Sequence, residues 1–485
     1  MKQTGANLWR DLGVLRVLSY STEALASSPP VDSLFARISK LGDPRNSIVP
    51  VLDKWVEEGR DIKKEELQRM IKQFRKFRRF SHALQMSEWM SDGMNFALSH
   101  GDMAVKLDLV SKVRGLEQAE QYFNSISCSS REKVYGALLN CYAEKDCLEK
   151  AEDHFQKMKE LGLVKYALSY NVMLSLYSRA GEYEKLESLT REMEENGIKC
   201  DKFTICIRLN AYTATSNVEG MEKLLMKMEA DPGVTMDCNA YFIAAKGYLK
   251  AGLPEKAVMM LRRAEQLIGS KEKRIAYEHL LTLYGTAGKK DEVYRIWNLY
   301  KYMGRVYNSG YISVLSSLVK LNDFDGIEKI LEEWESGGTV FDIRIANLAI
   351  SYYCKKSHLE KALAYADRLV NSGNELDART WQCLATQCAK ESEMERAVEN
   401  LKKTVLARGR GWKLNRFTLA ECLDYCKTKG DIEVAHEILG LLKEQGSLSA
   451  TIYDRLLDYL KSEKYSRAID AMEEDNANEK DDHAE

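Results

Sequence analysis

The 485-residue sequence has little proline and no long apolar segment. It contains six prolines, of which three come after residue 49. Proline interrupts helices and supplies turns, so a chain with so few has few helix breakers and few of the turn residues of an all-β fold. No run approaches the roughly 18 apolar residues that a membrane-spanning helix needs. These absences favour a helical protein and predict that no segment spans a membrane.

Motifs of common enzyme and metal sites are missing as well. The eleven cysteines are scattered and include no CxxC pair, so we expect reduced, mostly buried thiols and no disulfides. Neither the phosphate-binding GxxxxGK[ST] loop nor the zinc-binding HExxH motif occurs. The seven histidines are dispersed, without the spacing of a zinc site. The sequence therefore predicts a protein that is not an enzyme and that holds no cofactor and no metal.

The charges of the chain are nearly balanced. Lysine and arginine total 71 and aspartate and glutamate total 73, which gives a net charge of −2. Such a chain is not a polycation, so any surface that binds nucleic acid has to be a local stripe of cations.

The two ends differ from the middle. Residues 1–20 place Lys2, Arg10 and Arg16 among apolar residues, which is typical of a mitochondrial transit peptide, although Asp11 does not fit and a first helix of the mature domain is the alternative. Residues 21–63 are assigned to an N-terminal capping region. Residues 473–485 carry seven carboxylates and one lysine, which predicts a solvated acidic tail.

Residues 64–472 repeat with a period near 35. The opening position of each copy recurs at intervals of 34 to 38 residues: Tyr135, Tyr170, Ile205, Tyr241, Tyr277, Tyr311, Ala346, Trp381, Leu419 and Tyr453. Each copy holds two amphipathic runs separated by a glycine or a polar break. Two such helices cannot bury their apolar faces alone, whereas stacked pairs bury a continuous core. The fold is predicted to be all-α, a right-handed α-solenoid of about eleven stacked antiparallel helix pairs plus caps with a concave inner face.

A small residue recurs near the start of the second run of many copies, where it would let two helices cross closely. This column consists of alanines: Ala83, Ala119, Ala151, Ala257, Ala362, Ala397 and Ala435.

The period and three short segments resemble the pentatricopeptide repeat family. The segments are Ser-Tyr-Asn at 169–171, Arg-Ala-Gly at 179–181 and EMEENGIKCD at 192–201, and the resemblance extends over about residues 64–470. It is closest to the pure class of plant-type organellar members. Tetratricopeptide repeats have a period of about 34 and a Trp, Leu-Gly and Tyr signature that is missing here. The resemblance implies that the chain binds single-stranded RNA at about one base per repeat. Editing members of the family end in a zinc deaminase domain, for which this chain has no matching segment.

The resemblance also implies which residues contact RNA. The residue after the opening position and the last residue of the repeat would read the base, and two such pairs match the uridine combination, Asn171 with Asp201 and Asn347 with Asp377. The other pairs, such as Glu278 with Tyr307 and Gln382 with Asn415, are not usual combinations. Apolar residues two positions before the opening residue would stack between bases: Leu168, Phe203, Ile275 and Phe417. Cations near the end of the first helix would contact phosphates: Lys76, Lys112, Arg179, Lys250, Lys320, Lys355 and Lys390.

For these cations, a solvated edge of the solenoid is the alternative. Two further basic segments, residues 72–80 and 407–413, interleave cations with aromatic residues and are candidate RNA contacts, although core phenylalanines and a plain connector explain them equally well.

Three functions follow from these observations. The first is a mitochondrial RNA-binding protein that acts in RNA stability, processing or translation. The second is a structural protein of the mitochondrial ribosome that recognises rRNA and ribosomal proteins by shape. The third is a helical scaffold for proteins only. We expect single-stranded RNA or rRNA as the partner, no membrane, and the mitochondrial matrix in preference to the chloroplast.

Overall fold

The computed structural model describes most of the repeat region. The described residues are 33–43, 46–94, 96–231, 236–269, 273–407, 414–461 and 467–473. In these ranges the chain forms 27 α-helices, one π-helical turn at Trp89–Gly93 and no strand. Every one of these helices is too short or too polar to cross a bilayer. The predicted transit peptide at 1–20 and the tail beyond residue 473 lie outside the described residues.

The chain divides into two compact units, residues 1–271 and residues 272–485. The helices of the first unit are α1 Leu34–Ser39, α2 Val49–Glu57, α3 Lys64–Lys76, α4 Phe80–Glu88, α5 His100–Arg114, α6 Leu116–Ser125, α7 Cys128–Arg131, α8 Tyr135–Glu144, α9 Leu148–Glu160, α10 Ala167–Ala180, α11 Tyr183–Glu195, α12 Lys202–Thr215, α13 Val218–Ala230, α14 Cys238–Lys250 and α15 Pro254–Gln266.

The second unit continues the same alternation of first and second helices. Its helices are α16 Lys273–Thr286, α17 Lys290–Tyr302, α18 Asn308–Leu321, α19 Phe324–Ser336, α20 Ile343–Lys355, α21 Leu359–Asn371, α22 Ala378–Lys390, α23 Met394–Leu406, α24 Arg416–Lys429, α25 Ile432–Glu444, α26 Ala450–Lys461 and α27 Ala468–Glu473.

In both units the helices pack as stacked pairs. The first helix of a pair packs on its own second helix and on the first helix of the next pair, as α12 packs on α13 and α14. Within each unit, the first helices therefore lie side by side in one layer. Eleven complete pairs occur between Lys64 and Glu444, and the last pair has a short second helix. The prediction of an all-α protein built from stacked helix pairs is confirmed.

Local signals in the sequence set the ends of the helices. Asp201 and Asp377 are N-caps: the Asp201 carboxylate accepts a hydrogen bond from the Thr204 amide at 2.8 Å, and the Asp377 carboxylate accepts one from the Thr380 amide at 2.9 Å. At the other end, Gly181 and Gly430 adopt left-handed φ values of 81° and 88°, which a residue with a side chain rarely adopts.

The core sits where the repeat pattern places it. All seven alanines of the small-residue column have 0% exposure. Most opening residues are buried, but Tyr277 and Tyr453 are partly exposed, and their neighbours Ala276 and Ile452 are buried instead. At the pair α12–α13, Met221 replaces the column alanine, and the facing helix carries Gly247, where an added methyl group would lie 2.6 Å from Met221 Sδ. A large residue on one helix is thus matched by a glycine on its neighbour.

Ion pairs between successive second helices absorb much of the charge. They join cations and carboxylates of neighbouring repeats, as in Lys185–Glu152 at 2.8 Å, Lys256–Glu222 at 2.7 Å and Lys361–Glu328 at 2.7 Å. Exposed pairs of this kind contribute little to stability, because solvent screens them. Because each pair joins one cation to one carboxylate, these pairs fit a chain that is rich in charged residues but has almost no net charge.

Candidate nucleic-acid interface

The predicted stacking residues lie at the start of the first helices. Leu168, Phe203 and Phe417 are 70%, 58% and 67% exposed, which is unusual for large apolar side chains, and Ile275 is partly buried. A buried opening residue follows each of the three exposed side chains by two positions, which is a rotation of about 200° around a helix. Burial of Tyr170 therefore turns Leu168 away from the core, and the same relation turns Phe417 away from the core next to Leu419. The geometry suits side chains that contact a partner.

The first predicted base-reading pair forms a hydrogen-bonded triad. Asn171 Nδ2 donates to Asp201 Oδ1 at 3.0 Å, and the Thr204 hydroxyl donates to Asn171 Oδ1 at 2.7 Å. Asp201 is held in place because it caps α12, and Asn171 reaches it from the neighbouring helix α10. The structure thus brings together two residues 30 positions apart in the sequence.

The second pair has the same arrangement. Asn347 Nδ2 donates to Asp377 Oδ2 at 3.0 Å, and the Thr380 hydroxyl donates to Asn347 Oδ1. Burial raises the pKa of Asp377, but the hydrogen bonds from Thr380 and Asn347 outweigh it and hold that pKa below its ordinary value. The carboxylate is therefore ionised at neutral pH. An asparagine amide has two N–H donors, and the bond to Asp377 uses one of them.

The threonines of the two triads were not predicted as site residues. Thr204 and Thr380 each stand three positions after the aspartate, in the sequences Asp-Lys-Phe-Thr and Asp-Ala-Arg-Thr. This is the spacing of an N-terminal helix cap, so a search for caps next to the predicted pairs could have found them.

A third pair, which the sequence pattern did not match to the usual combinations, also comes together. The backbone N–H of Asn415 donates to Gln382 Oε1 at 3.3 Å, and the hydroxyls of Thr386 and Thr418 lie 2.9 Å apart beside them. Asn415 is the N-cap of α24, as the aspartates are in the two triads. The pair is separated by 33 residues instead of 30 because a longer connector precedes α24.

Two other repeats cannot present the same groups. Glu278, at the base-reading position of α16, is 8% exposed and accepts hydrogen bonds from Tyr300 Oη at 2.9 Å and Ser309 Oγ at 2.6 Å. Burial raises the pKa of Glu278. In the next repeat, Asp342 occupies the last position, which would read a base. Arg344 binds both oxygens of its carboxylate, at 2.9 and 2.6 Å.

Four of the seven predicted phosphate contacts already have partners inside the protein. Lys250 Nζ donates to the carbonyl oxygens of Thr213 at 2.9 Å and Ala214 at 2.8 Å, at the end of the preceding first helix. Lys320 Nζ donates instead to a side-chain hydroxyl, Thr286 Oγ1, at 2.8 Å, and burial lowers the pKa of Lys320. The Lys250 contacts satisfy the last carbonyl groups of that helix and complement its dipole.

The other two of these four are ion-paired. Arg179 lies 2.9 Å from Asp146, and Lys112 lies 2.6 Å from Glu144 and also contacts Asp108. At these four positions a phosphate contact would compete with an existing partner, and the assignment of all seven cations to phosphate contact stays a prediction. Lys76 is exposed at the end of α3.

Lys355 and Lys390 differ, because both line a groove between α20 and α22. The groove has a volume of about 890 Å³ and is open to solvent. Its walls carry four cationic side chains and one carboxylate: Arg344, Lys355, Arg379, Lys390 and Glu391. Asn347, Thr380, Gln382 and Thr386 also line it, so it joins the second triad with part of the third pair. We call it the 347–390 groove.

Of the two basic segments outside the repeat columns, only residues 72–80 are fully described by the structure. In 72–80, Phe74 is 1% exposed and belongs to the core, whereas Phe77 is 45% exposed. Arg75 forms an ion pair with Asp108 at 2.9 Å. In 407–413, Arg408, Arg410, Trp412 and Lys413 lie outside the described residues. Within the described part of the chain, no group of His, Cys, Asp or Glu side chains is arranged to hold a metal ion.

The sequence of this chain is similar to those of known proteins. The PPR repeat family matches residues 167–214, and the PPR repeat matches residues 133–163. A mitochondrial pentatricopeptide repeat-containing protein of Arabidopsis thaliana is 48% identical over 445 residues, which are 91% of this chain and 90% of that protein. The large ribosomal subunit protein mL101 of the same plant is 42% identical over 433 residues, 88% of each chain.

The fold has a counterpart among solved structures. The pentatricopeptide repeat protein PPR10, solved in complex with an 18-nucleotide psaJ RNA element, superposes with a TM-score of 0.55 at 18% identity. The matched part covers 86% of this chain and 60% of PPR10, so this chain spans about three fifths of that protein. Because it consists of stacked helix pairs and is similar to these relatives over most of its length, the chain belongs to the pentatricopeptide repeat family.

Proposed function

We propose that this protein binds single-stranded RNA in mitochondria along its layer of first helices. The observation that carries the proposal is the 347–390 groove, where the Asn347 amide, hydrogen-bonded to the Asp377 carboxylate, lies beside the exposed cations Lys355, Arg379 and Lys390. The remaining amide proton of Asn347 can donate to a base edge, and the Asp377 carboxylate can accept from one. Cations along the same walls can neutralise the phosphates on either side of that base.

Exposed apolar side chains supply the second element of this interface. Leu168 and Phe203 flank the Asn171 triad at the starts of α10 and α12, and both are exposed. An apolar plate stacks on any base, and stacking on aromatic groups contributes about 1–3 kcal/mol per base. We assign base reading to Asn171, Asp201, Asn347 and Asp377 and stacking to Leu168, Phe203, Ile275 and Phe417, and we place the principal phosphate contacts at Lys355 and Lys390. The protein would act by binding, without catalysing a reaction.

The relatives support mitochondria as the location. Several that match most of the chain are mitochondrial proteins by name, and mL101 is a large ribosomal subunit protein. Residues 1–20, with their basic amphipathic pattern, agree with import into that organelle.

A second candidate function is that of a structural protein of the mitochondrial ribosome. The 42% identity to mL101 favours it, and so does the burial of Glu278, since a repeat without a free reading group cannot select a base. A scaffold for proteins only is less well supported, because the cations of the 347–390 groove suit a polyanion.

Crosslinking and sedimentation separate these functions. The tagged protein is crosslinked by ultraviolet light in isolated mitochondria, and the bound RNA is sequenced. In parallel, its sedimentation with ribosomal subunits is followed in a sucrose gradient. We expect short, defined single-stranded sites and a protein that sediments apart from the subunits. Co-sedimentation with the large subunit and crosslinks to rRNA would favour the second candidate, and the absence of any RNA crosslink would refute both.

A substitution at Thr380 tests the reading role of the triad. Thr380→Val removes the hydroxyl that donates to Asn347 Oδ1 and so frees the amide to rotate. We expect the preference for the matching base at this position to fall by about fivefold to tenfold, since one lost hydrogen bond costs about 1 kcal/mol. The measurement is fluorescence anisotropy with two RNAs that differ at one base. Thr380→Ser, which keeps the hydroxyl, is the control, and equal base preference in all three proteins would contradict the assignment.

A further inference from the structure

Two cysteines, one from each of two neighbouring repeats, line the 347–390 groove. Cys354 lies near the end of α20, and Cys383 lies in the second turn of α22, on the neighbouring repeat. Both line the groove, and their thiols interact with each other. Cys354 is 4% exposed, whereas Cys383 is only partly buried and so faces a space that small molecules can enter.

The surroundings of the two thiols differ. The interaction with Cys354 lowers the pKa of Cys383, burial opposes this, and the Ser351 hydroxyl and the ammonium groups of Lys355 and Lys390 lower it further. The pKa of Cys354 is raised by its interaction with Cys383 and by burial. Cys383 is the more exposed of the two thiols and has two ammonium groups near it, so it is suited to be the nucleophile and the buried Cys354 the thiol that reacts second.

We propose that Cys354 and Cys383 form an oxidisable dithiol whose disulfide bridges α20 and α22 and lowers the affinity of the 347–390 groove for RNA. The regulatory part rests on the proposed RNA-binding function, whereas the chemistry of the thiols does not.

The oxidant is hydrogen peroxide. The Cys383 thiolate attacks one peroxide oxygen, the O–O bond breaks, hydroxide leaves, and Cys383 becomes a sulfenic acid. The Cys354 sulfur then attacks the Cys383 sulfur, the S–O bond breaks, and water leaves. In sum, two thiols and one peroxide give one disulfide and two waters, with two electrons passing from sulfur to peroxide. A dithiol reductant reverses the reaction by thiol–disulfide exchange.

The bridge would act on RNA through the spacing of two helices. Asn347 and Lys355 lie on α20, and Thr380 and Lys390 lie on α22, so the groove depends on the separation of these helices. A covalent bond between Cys354 and Cys383 draws the walls together and fixes their distance. A nucleotide that needs the walls to adjust then binds less well.

The chain supplies an internal control. Cys422 and Cys426 are one helical turn apart on α24, and both are buried. Burial raises the pKa of Cys422 to about 12 and also raises that of Cys426. Cys388 lies on α22 together with Cys383 and has 0% exposure. It is an alternative partner for Cys354, so its reaction shows whether the bridge to Cys383 is specific.

The test is differential alkylation of the full chain and mass spectrometry after treatment with hydrogen peroxide. We expect a Cys354–Cys383 peptide that forms at least about 10-fold faster than any Cys422–Cys426 product. It should be absent from Cys383→Ser and from Cys354→Ser, and the reductant should remove it. Bridging of Cys354 to Cys388 instead, or equal oxidation of the control pair, would overturn the assignment.

RNA affinity is measured on the same samples. Oxidation should weaken binding by about fivefold or more in the unmodified protein and leave the Cys383→Ser protein unchanged. If the disulfide forms but affinity is the same, the regulatory role is wrong. If neither redox state binds RNA, the proposed function fails while the dithiol chemistry stands.

Discussion

Reversing three charges in the 347–390 groove is expected to lower the affinity for single-stranded RNA on the order of 100-fold or more. The variant is Lys355→Glu, Arg379→Glu and Lys390→Glu in one chain, and all three side chains are exposed in the structure. Each lost hydrogen bond from a charged group costs about 1.5–3 kcal/mol, and about 1.4 kcal/mol corresponds to a tenfold change. Filter binding or anisotropy at several salt concentrations measures the effect.

The salt dependence gives a second readout. A plot of log affinity against log salt concentration has a negative slope, whose magnitude for single strands is about 0.7 per phosphate contact. Loss of three contacts should therefore make the slope of the variant less steep by about 2. An unspecific effect of the altered net charge would not change this slope as the loss of particular phosphate contacts does.

The matched control reverses three charges of the second helices. Lys361→Glu, Arg368→Glu and Lys402→Glu change the net charge by the same amount in the same unit of the chain. The native side chains are ion-paired across repeats, to Glu328 at 2.7 Å, Glu335 at 3.0 Å and Glu437 at 2.7 Å. We expect a small loss of stability and little change in RNA binding. Equal losses of RNA affinity in both variants would show that the groove has no special role.

Replacing Gly285 by valine is expected to destabilise the second unit by about 2–3 kcal/mol, which is the upper range for an overpacked core. Gly285 lies where α16 crosses α18, and a methyl group there would lie 2.5 Å from Ser317 Cβ and 2.9 Å from its Cα. Ser317 is fully buried and donates a hydrogen bond to the Leu281 carbonyl at 2.9 Å. Valine would push the two helices apart and break that bond. Thermal and denaturant unfolding measure the loss.

Gly440 provides the comparison for this substitution. It lies inside α25, and an added methyl group there meets no atom within 4 Å. Gly440→Ala should therefore raise the free energy of unfolding by about 0.5–1 kcal/mol, because glycine is a poor helix former. A Gly285→Val protein that unfolds at the wild-type midpoint would contradict the close crossing.

The sequence was most informative about features that repeat. The column of alanines and the opening residues recur because each helix pair must bury the same face, so one pattern is seen many times. The two Asn–Asp pairs were predicted from the resemblance to the pentatricopeptide repeat family, which implies base reading at two fixed positions of the repeat. The threonines that hold the asparagines follow from local capping spacing, but their contact with the neighbouring helix does not.

Contacts that depend on a single repeat were not predictable. Glu278 occupies the same column as Asn171, yet it turns to Tyr300 and Ser309 because those side chains offer hydroxyl groups within the core. Gln382 and Asn415 depart from the usual combination, yet capping of α24 by Asn415 brings them together. In each case the outcome depends on which polar partners the adjacent helices supply.

The amino-acid sequence by itself determined the helix pairs, their number and order, the buried faces and the column positions that turn away from the core, since helical periodicity and repetition are properties of the chain. Only the tertiary structure decided which of the predicted cations contact carbonyl, hydroxyl and carboxylate groups and which line an open groove. The reason is physical: the partners of a charged side chain are set by packing between helices that are about 35 residues apart in the sequence.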